Sequence, residues 1–294
     1  METSIAQEIL GATDFSAAAG NAMARAAQLA QAHHCALRIV HVFNELAWTN
    51  VRRMLEESPL EPPPETAMRT LVALADELKS RHRLSTVHVQ VQIGRASAEI
   101  IAVAHKTRPQ LIVIGAQGEG LAKALMLGGT AVKILRGSPC PVLVVRREPE
   151  RPYRRVVVAT DFSESSKRAL TQAQALFPQA HHVLMHVYSV MFEGRLRMGG
   201  ASDDAIARYL LQAGDEARHN MEAFVRGIGA AGRAISTRVE EGHPVVTLVD
   251  EARLHATDVL VFAKSGGPAL AERLFGSVPE SVITHAACDL LLVP

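Results

Sequence analysis

Cysteine is scarce in this chain: three residues, Cys35, Cys140 and Cys288, lie far apart in 294. An odd, unclustered set excludes a disulfide framework and points to a reducing compartment, so a cytoplasmic place is expected. Excess charge of one sign is also missing. Lys plus Arg number 31 and Asp plus Glu 30, which removes any broad electrostatic reason to bind nucleic acid or an anionic membrane. No apolar run approaches the roughly 18 residues that cross a bilayer. Met1 to Glu8 lacks the basic start and apolar core of a secretory leader. There is no Gly-x4-Gly-Lys-Ser/Thr segment, which excludes a P-loop ATPase. No Ser-His-Asp or Cys-His triad assembles from local spacing, and no general base is evident, so an enzyme is not expected.

What is present is a repeat. Ala12-Thr13-Asp14-Phe15-Ser16 returns as Ala159-Thr160-Asp161-Phe162-Ser163, 147 residues later. Gln31-Ala32-His33-His34 returns as Gln179-Ala180-His181-His182, and Gly94, Gly118 and Gly128 return as Gly242, Gly266 and Gly276, all 148 residues on. His41-Val42 returns as His186-Val187 at 145, so a small deletion and a later insertion separate the landmarks. Ordered landmarks at nearly one offset mean a duplication. The join is the polar, two-proline stretch from Arg146 to Pro152, which reads as a linker between domains 1–147 and 152–294.

Strand and helix signals alternate in each half. The first half gives strands at Glu8 to Ala12, Cys35 to Val42, Val87 to Ile93, Leu111 to Ile114 and Pro141 to Val145. Ser16 is placed to cap an Ala-rich helix running to His33, and further helices are expected over Glu65 to Arg83, Ala98 to Lys106 and Thr130 to Arg136. Val87 to Ile93 alternates polar and apolar residues and suits an edge; Leu111 to Ile114 is unbroken and suits the centre. The second half gives strands at Arg155 to Ala159, Val183 to Val187, Ile235 to Glu240, Val259 to Phe262 and Leu290 to Val293. Its insertion, Met191 to Ser202, reads as a solvated loop or lid. Alternation of this kind dictates parallel strands with right-handed crossovers: an α/β class of two tandem doubly wound domains, each a five-stranded parallel sheet with helices on both faces.

The strongest chemical signal follows the fourth strand of each half. Gly115-Ala116-Gln117-Gly118 is followed after nine residues by Gly128-Gly129-Thr130, and Ala263-Lys264-Ser265-Gly266 after nine by Gly276-Ser277-Val278. Glycines past a strand end let backbone N–H groups converge on a ligand, and the second cluster opens a helix whose N-terminus suits phosphate. Nucleotides in open α/β sheets sit at the carboxyl ends of strands where the winding reverses, and the aspartate ending strand one would lie across that crevice.

These residues resemble the universal stress protein family in its tandem two-domain form. The resemblance spans nearly the whole chain and rests on Thr-Asp-Phe-Ser after strand one, His-Val ending strand two, the glycine motif, and Ser138-Pro139-Cys140-Pro141-Val142-Leu143-Val144-Val145. It implies a Rossmann-like fold of the adenine nucleotide alpha hydrolase-like kind, a role in stress response, and ATP or another adenine nucleotide as ligand, with Mg²⁺ as a companion. It implies cofactor contacts from Ala12, Thr13, Asp14, Val42, Gly115, Gly118, Gly128, Gly129 and Thr130 in the first half. In the second half it implies Ala159, Thr160, Asp161, Val187, Ala263, Gly266, Gly276, Ser277 and Val278. Each half departs once from the family pattern: Gly129 stands where the family has Ser or Thr, and Ala263 replaces the first glycine. If that position needed positive φ, alanine would cost roughly 1 kcal/mol; both crevices are nonetheless expected to be competent.

The expectation is thus a cytoplasmic, non-enzymatic nucleotide switch, in which binding orders the glycine loop and the Met191 to Ser202 segment for an unidentified protein partner. Two rivals stand beside it: an interaction module with vestigial pockets, and a slow ATP hydrolase. Asp14 and Asp161 have a plainer reading as local hydrogen-bonders at helix starts. The histidine pairs are expected to be helix-end residues rather than metal ligands, and Cys140 and Cys288 to be buried at the starts of the last strands. The final strands, Val142 to Val145 and Leu290 to Val293, are apolar edges; the expectation is an internal pseudo-dimer, with a homodimer compatible.

Overall fold

The computed structural model describes residues 8–44, 63–116, 127–189, 198–200, 202–229, 235–264 and 277–294. The chain divides into two compact units, with the boundary in sequence after Pro152.

In the first unit, strands β1 (Glu8–Thr13), β2 (Ala36–Phe43), β3 (Val87–Ile93), β4 (Leu111–Gly115) and β5 (Val142–Val145) lie in the order β3-β2-β1-β4-β5. Every pairing is parallel: Ile9 stands opposite Leu37 on one side and Leu111 on the other. The interleaved helices are α1 (Ala17–Ala32), α2 (Pro63–His82), α3 (Ala96–Thr107) and α4 (Gly129–Gly137). The core is the unbroken apolar set of the central strands, Ile9, Leu10, Leu111, Ile112 and Val113 all having no exposed surface. Alanine lets α1 lie close on them, burying Ala19, Ala22, Ala26, Ala27 and Ala30 beside Met23. β3 sits at the sheet edge as its alternation predicts.

The second unit repeats the plan. Strands β6 (Arg155–Ala159), β7 (His181–Tyr188), β8 (Ile235–Glu241), β9 (Val259–Ala263) and β10 (Asp289–Val293) run in the order β10-β9-β6-β7-β8. All pairings are parallel. Helices α5 (Glu164–Leu176), α6 (Asp203–Ile228), α7 (Pro244–Leu254) and α8 (Ser277–His285) connect them. In both units the first strand is flanked by the second on one side and the fourth on the other. The winding therefore reverses there, and a crevice opens at the carboxyl ends of those strands.

Two expectations change, and the linker is held by side chains of α1. The guanidinium of Arg25, a buried residue of α1, donates to the Arg151 carbonyl at 2.9 Å, and Gln28 Nε2 donates to the Pro149 carbonyl at 2.7 Å. Residues 148–152 are thereby strapped to the first unit. The two histidine pairs are not alike: His33 caps the C-terminus of α1, whereas His181 and His182 begin β7, His182 being buried with its ring on the Ala173 carbonyl. Three residues, His33, His34 and Cys35, separate Ala32 from β2, with His34 in a left-handed turn at φ 51°, whereas β7 follows Ala180 directly. Cys288 is buried as expected, but Cys140 is half-buried, and both precede their strands; none of the three cysteines is in a disulfide. Residues 191–197 of the expected insertion loop lie outside the described residues, and Ser202 is the N-cap of α6.

Candidate nucleotide site

The motif Thr13-Asp14-Phe15-Ser16 is first of all a folding device. Ser16 caps α1, its Oγ accepting the Ala19 N–H at 3.2 Å. Asp14 Oδ1 accepts both the Ser16 N–H at 3.0 Å and the Ser16 hydroxyl at 2.6 Å. Phe15 turns at φ 65°, its N–H donating to Thr13 Oγ1 at 3.0 Å, and its ring stacks on His41 with centroids 4.5 Å apart. His41 Nδ1 lies 2.9 Å from the Thr13 carbonyl. A carbonyl only accepts, so Nδ1 carries the proton and donates. The second unit copies the turn and its histidine. Phe162 turns at φ 65° with its N–H on Thr160 Oγ1, its ring lies 4.2 Å from that of His186, and His186 Nδ1 meets the Thr160 carbonyl at 2.8 Å. The histidine that ends the second strand thus pins the turn that ends the first.

This turn, with the ends of β2 and β4 and the start of α4, bounds a cavity of about 480 Å³ in the first unit. Of the residues expected to contact a ligand, Ala12, Thr13, Asp14, Val42, Gly115, Gly128, Gly129 and Thr130 all line it. Gly118 lies outside the described residues. Asn44, Ala19, Ala96, Ile100, Ile114, Ala116, Ala131 and Ile134 line it as well and escaped the sequence reading. Part of that signal was within reach: Ile114 and Ala116 flank Gly115, and Asn44 is the first residue past β2. Asp14 is the one charged side chain among the described lining residues.

Gly128 is the N-cap of α4, in extended backbone at φ −64°, and its N–H donates to the Ala116 carbonyl at 2.9 Å. The helix start is thereby tied to the end of β4, and the first turn of α4, whose leading N–H groups no helical carbonyl satisfies, lines the cavity through Gly129, Thr130 and Ala131. A Cβ on Gly129 would meet nothing within 4 Å.

Gly115 has a different reason for being glycine. It does not turn left-handed; a Cβ there would stand 2.9 Å from the carbonyl carbon and oxygen of Ala18 and 3.1 Å from the nitrogen of Ala19. The glycine admits the first turn of α1 against β4.

In the second unit, Ala159, Thr160, Asp161, Val187 and Ala263 lie at the carboxyl ends of β6, β7 and β9 or just beyond. Val278 is in the first turn of α8, which Ser277 begins, while Gly266 and Gly276 lie outside the described residues. Ala263 has ordinary negative φ, so it adds bulk and no backbone strain. Asp161 differs from Asp14. Its Oδ1 accepts the Ser163 N–H at 3.1 Å and the Ser166 hydroxyl at 2.5 Å. Partial burial pushes its pKa up, but the hydrogen bonds from Ser163 and Ser166 outweigh that and hold it below the usual aspartate value. Among the described residues no three of His, Cys, Asp and Glu gather as a metal site.

The universal stress protein family profile matches the chain twice, over residues 6–146 and 152–294. Universal stress protein Sll1388 of Synechocystis is 30% identical over 152 residues, which are 48% of this chain and 97% of that protein. Universal stress protein Rv1636 of Mycobacterium tuberculosis is 32% identical over 142 residues, 48% of this chain and 96% of its own. Each such relative therefore matches about half of this chain. Among solved structures, a universal stress protein from Archaeoglobus fulgidus superposes with a TM-score of 0.71 at 19% identity, covering 97% of both chains. A functionally unknown Pseudomonas aeruginosa protein, PA1789, does so at 0.65 and 19% identity, covering 98% of this chain and 92% of its own.

Proposed function

Because this chain belongs to the universal stress protein family through both of its units, we propose that it is a nucleotide-holding stress-response protein whose ligand is ATP or another adenine nucleotide. The observation that carries this reading is the convergence of the strand-one aspartate, the end of β2 and the open start of α4 on one cavity of about 480 Å³. That volume is within the common range for small-molecule sites, roughly 300–1,000 Å³. The residues fit the group. Asp14 would accept from ribose hydroxyls or the adenine amine, the backbone of Val42 would meet the base, and the first N–H groups of α4 would face phosphate. Since the described lining holds no lysine or arginine, phosphate charge would be met by backbone N–H groups, the helix dipole and Mg²⁺.

We read the protein as holding nucleotide rather than turning it over. The carboxylate at the cavity is tied to Ser16, which suits positioning. Binding would favour one arrangement of the surface around α4, and a protein partner would read that population shift. Cytoplasmic residence belongs to the same proposal, supported by three cysteines that form no disulfide. Among the described residues no helix is long and apolar enough to cross a membrane.

The direct test is calorimetric titration of ATP with Mg²⁺ into nucleotide-free protein. Saturable binding that Mg²⁺ strengthens, with no sustained phosphate release, is the expected result. No binding at millimolar ATP would leave the cavity without this role.

A further inference from the structure

The two units present equivalent backbone at the floor of the crevice but different side chains. β4 and β9 hold the same register on their first strands: Ile9 faces Leu111, and its repeat mate Val156 faces Val259. One residue past each strand, the Ala116 N–H donates to the Val145 carbonyl at 3.0 Å and the Lys264 N–H to the Val293 carbonyl at 2.6 Å. Ile114, Gly115 and Ala116 therefore correspond to Phe262, Ala263 and Lys264. All three line the cavity of the first unit. In the second unit a phenyl ring replaces a branched alkyl, a methyl replaces a hydrogen, and a four-carbon amine replaces a methyl.

Lys264 is half-buried, and burial pushes its amine below the usual lysine value. From the helix side comes a second difference. Ala19 lines the first cavity, and its mate is Ser166, a buried residue whose hydroxyl draws the Asp161 carboxylate onto the first turn of α5.

We propose that this chain holds one nucleotide, in its first unit, and that Phe262 and Lys264 close the equivalent crevice of the second. The inference rests on the adenine-nucleotide reading above and departs from the expectation that both crevices are competent. It makes the duplication a division of labour: one unit kept open for ligand, the other filled by its own side chains.

The test is stoichiometry, measured calorimetrically with ATP and Mg²⁺ on the full, nucleotide-free chain. The wild type should bind one equivalent. Ala116→Lys, which gives the first unit the second unit's lysine, should lower affinity at least tenfold with the melting curve retained. Phe262→Ile with Lys264→Ala should raise the stoichiometry from one to two. Two equivalents in the wild type, or unchanged binding in Ala116→Lys, would overturn the inference while leaving the nucleotide reading intact. No binding in the wild type would overturn that reading, and this inference with it. Should the double variant fail to fold, the wild-type stoichiometry and Ala116→Lys still decide.

Discussion

Asp14 serves two purposes that a substitution can separate by their readouts. Its Oδ1 gathers the N–H and hydroxyl of Ser16 and so braces the cap of α1, while the residue also borders the cavity. Asp14→Ala should lower ATP affinity at least tenfold. Ser16→Ala should cost about 1 kcal/mol in urea unfolding, the usual loss for a helix cap. Asp161 has the analogous structural role, and its pKa is held below the usual value. A carboxyl depressed in the folded state contributes stability above its unfolded pKa and loses it as pH falls through the folded one. Asp161→Asn should therefore melt lower than wild type at neutral pH, and the gap should close only at acid pH, below the ordinary aspartate range. A gap independent of pH would mean that the carboxylate's charge plays no part. At this scale the sequence was informative but ambiguous. Thr-Asp-Phe-Ser is visible twice, yet the stacking of Phe15 on His41 and the left-handed turn at Phe15 depend on a strand 28 residues from Thr13, which local pattern cannot supply.

The elements were largely legible, because binary pattern dictates them: the unbroken apolar runs became β1, β4, β6 and β9, and the alternating run became the edge strand β3. The role of the glycine that ends β4 was not. The motif suggested room for a ligand, whereas a Cβ on Gly115 would strike the backbone of Ala18 at 2.9 Å. The clash is with backbone at a helix start, so neither partner yields by rotating a side chain. Gly115→Ala should cost about 1–3 kcal/mol, as overpacking does. The mate in the second unit, Ala263, carries that methyl already. Ala263→Gly should cost no more than about 1 kcal/mol, the entropic penalty of glycine. Equal losses from the two substitutions, measured by urea unfolding, would show that close approach of helix to strand is not what selects glycine at position 115.

At the scale of the whole molecule the duplication was plain, but what holds the join between the repeats was not. Charge and proline content marked Arg146 to Pro152 as linker, and composition has no means of showing that Arg25 and Gln28, more than 120 residues earlier, hold its carbonyls. Arg25 is 5% exposed, which is rare for a guanidinium and makes its bond to the Arg151 carbonyl hard to replace with water. The strap sets what a protease can reach. Cleavage needs a chain that can be lifted from its support, and a segment held by two side-chain bonds opens only as often as both break. Arg25→Met combined with Gln28→Leu keeps the bulk of both side chains and removes the donors. That variant should be cut by trypsin after Arg147 at least tenfold faster than wild type, under conditions where the two melting temperatures differ little. Equal rates would mean that the segment is protected by something other than these two bonds to α1.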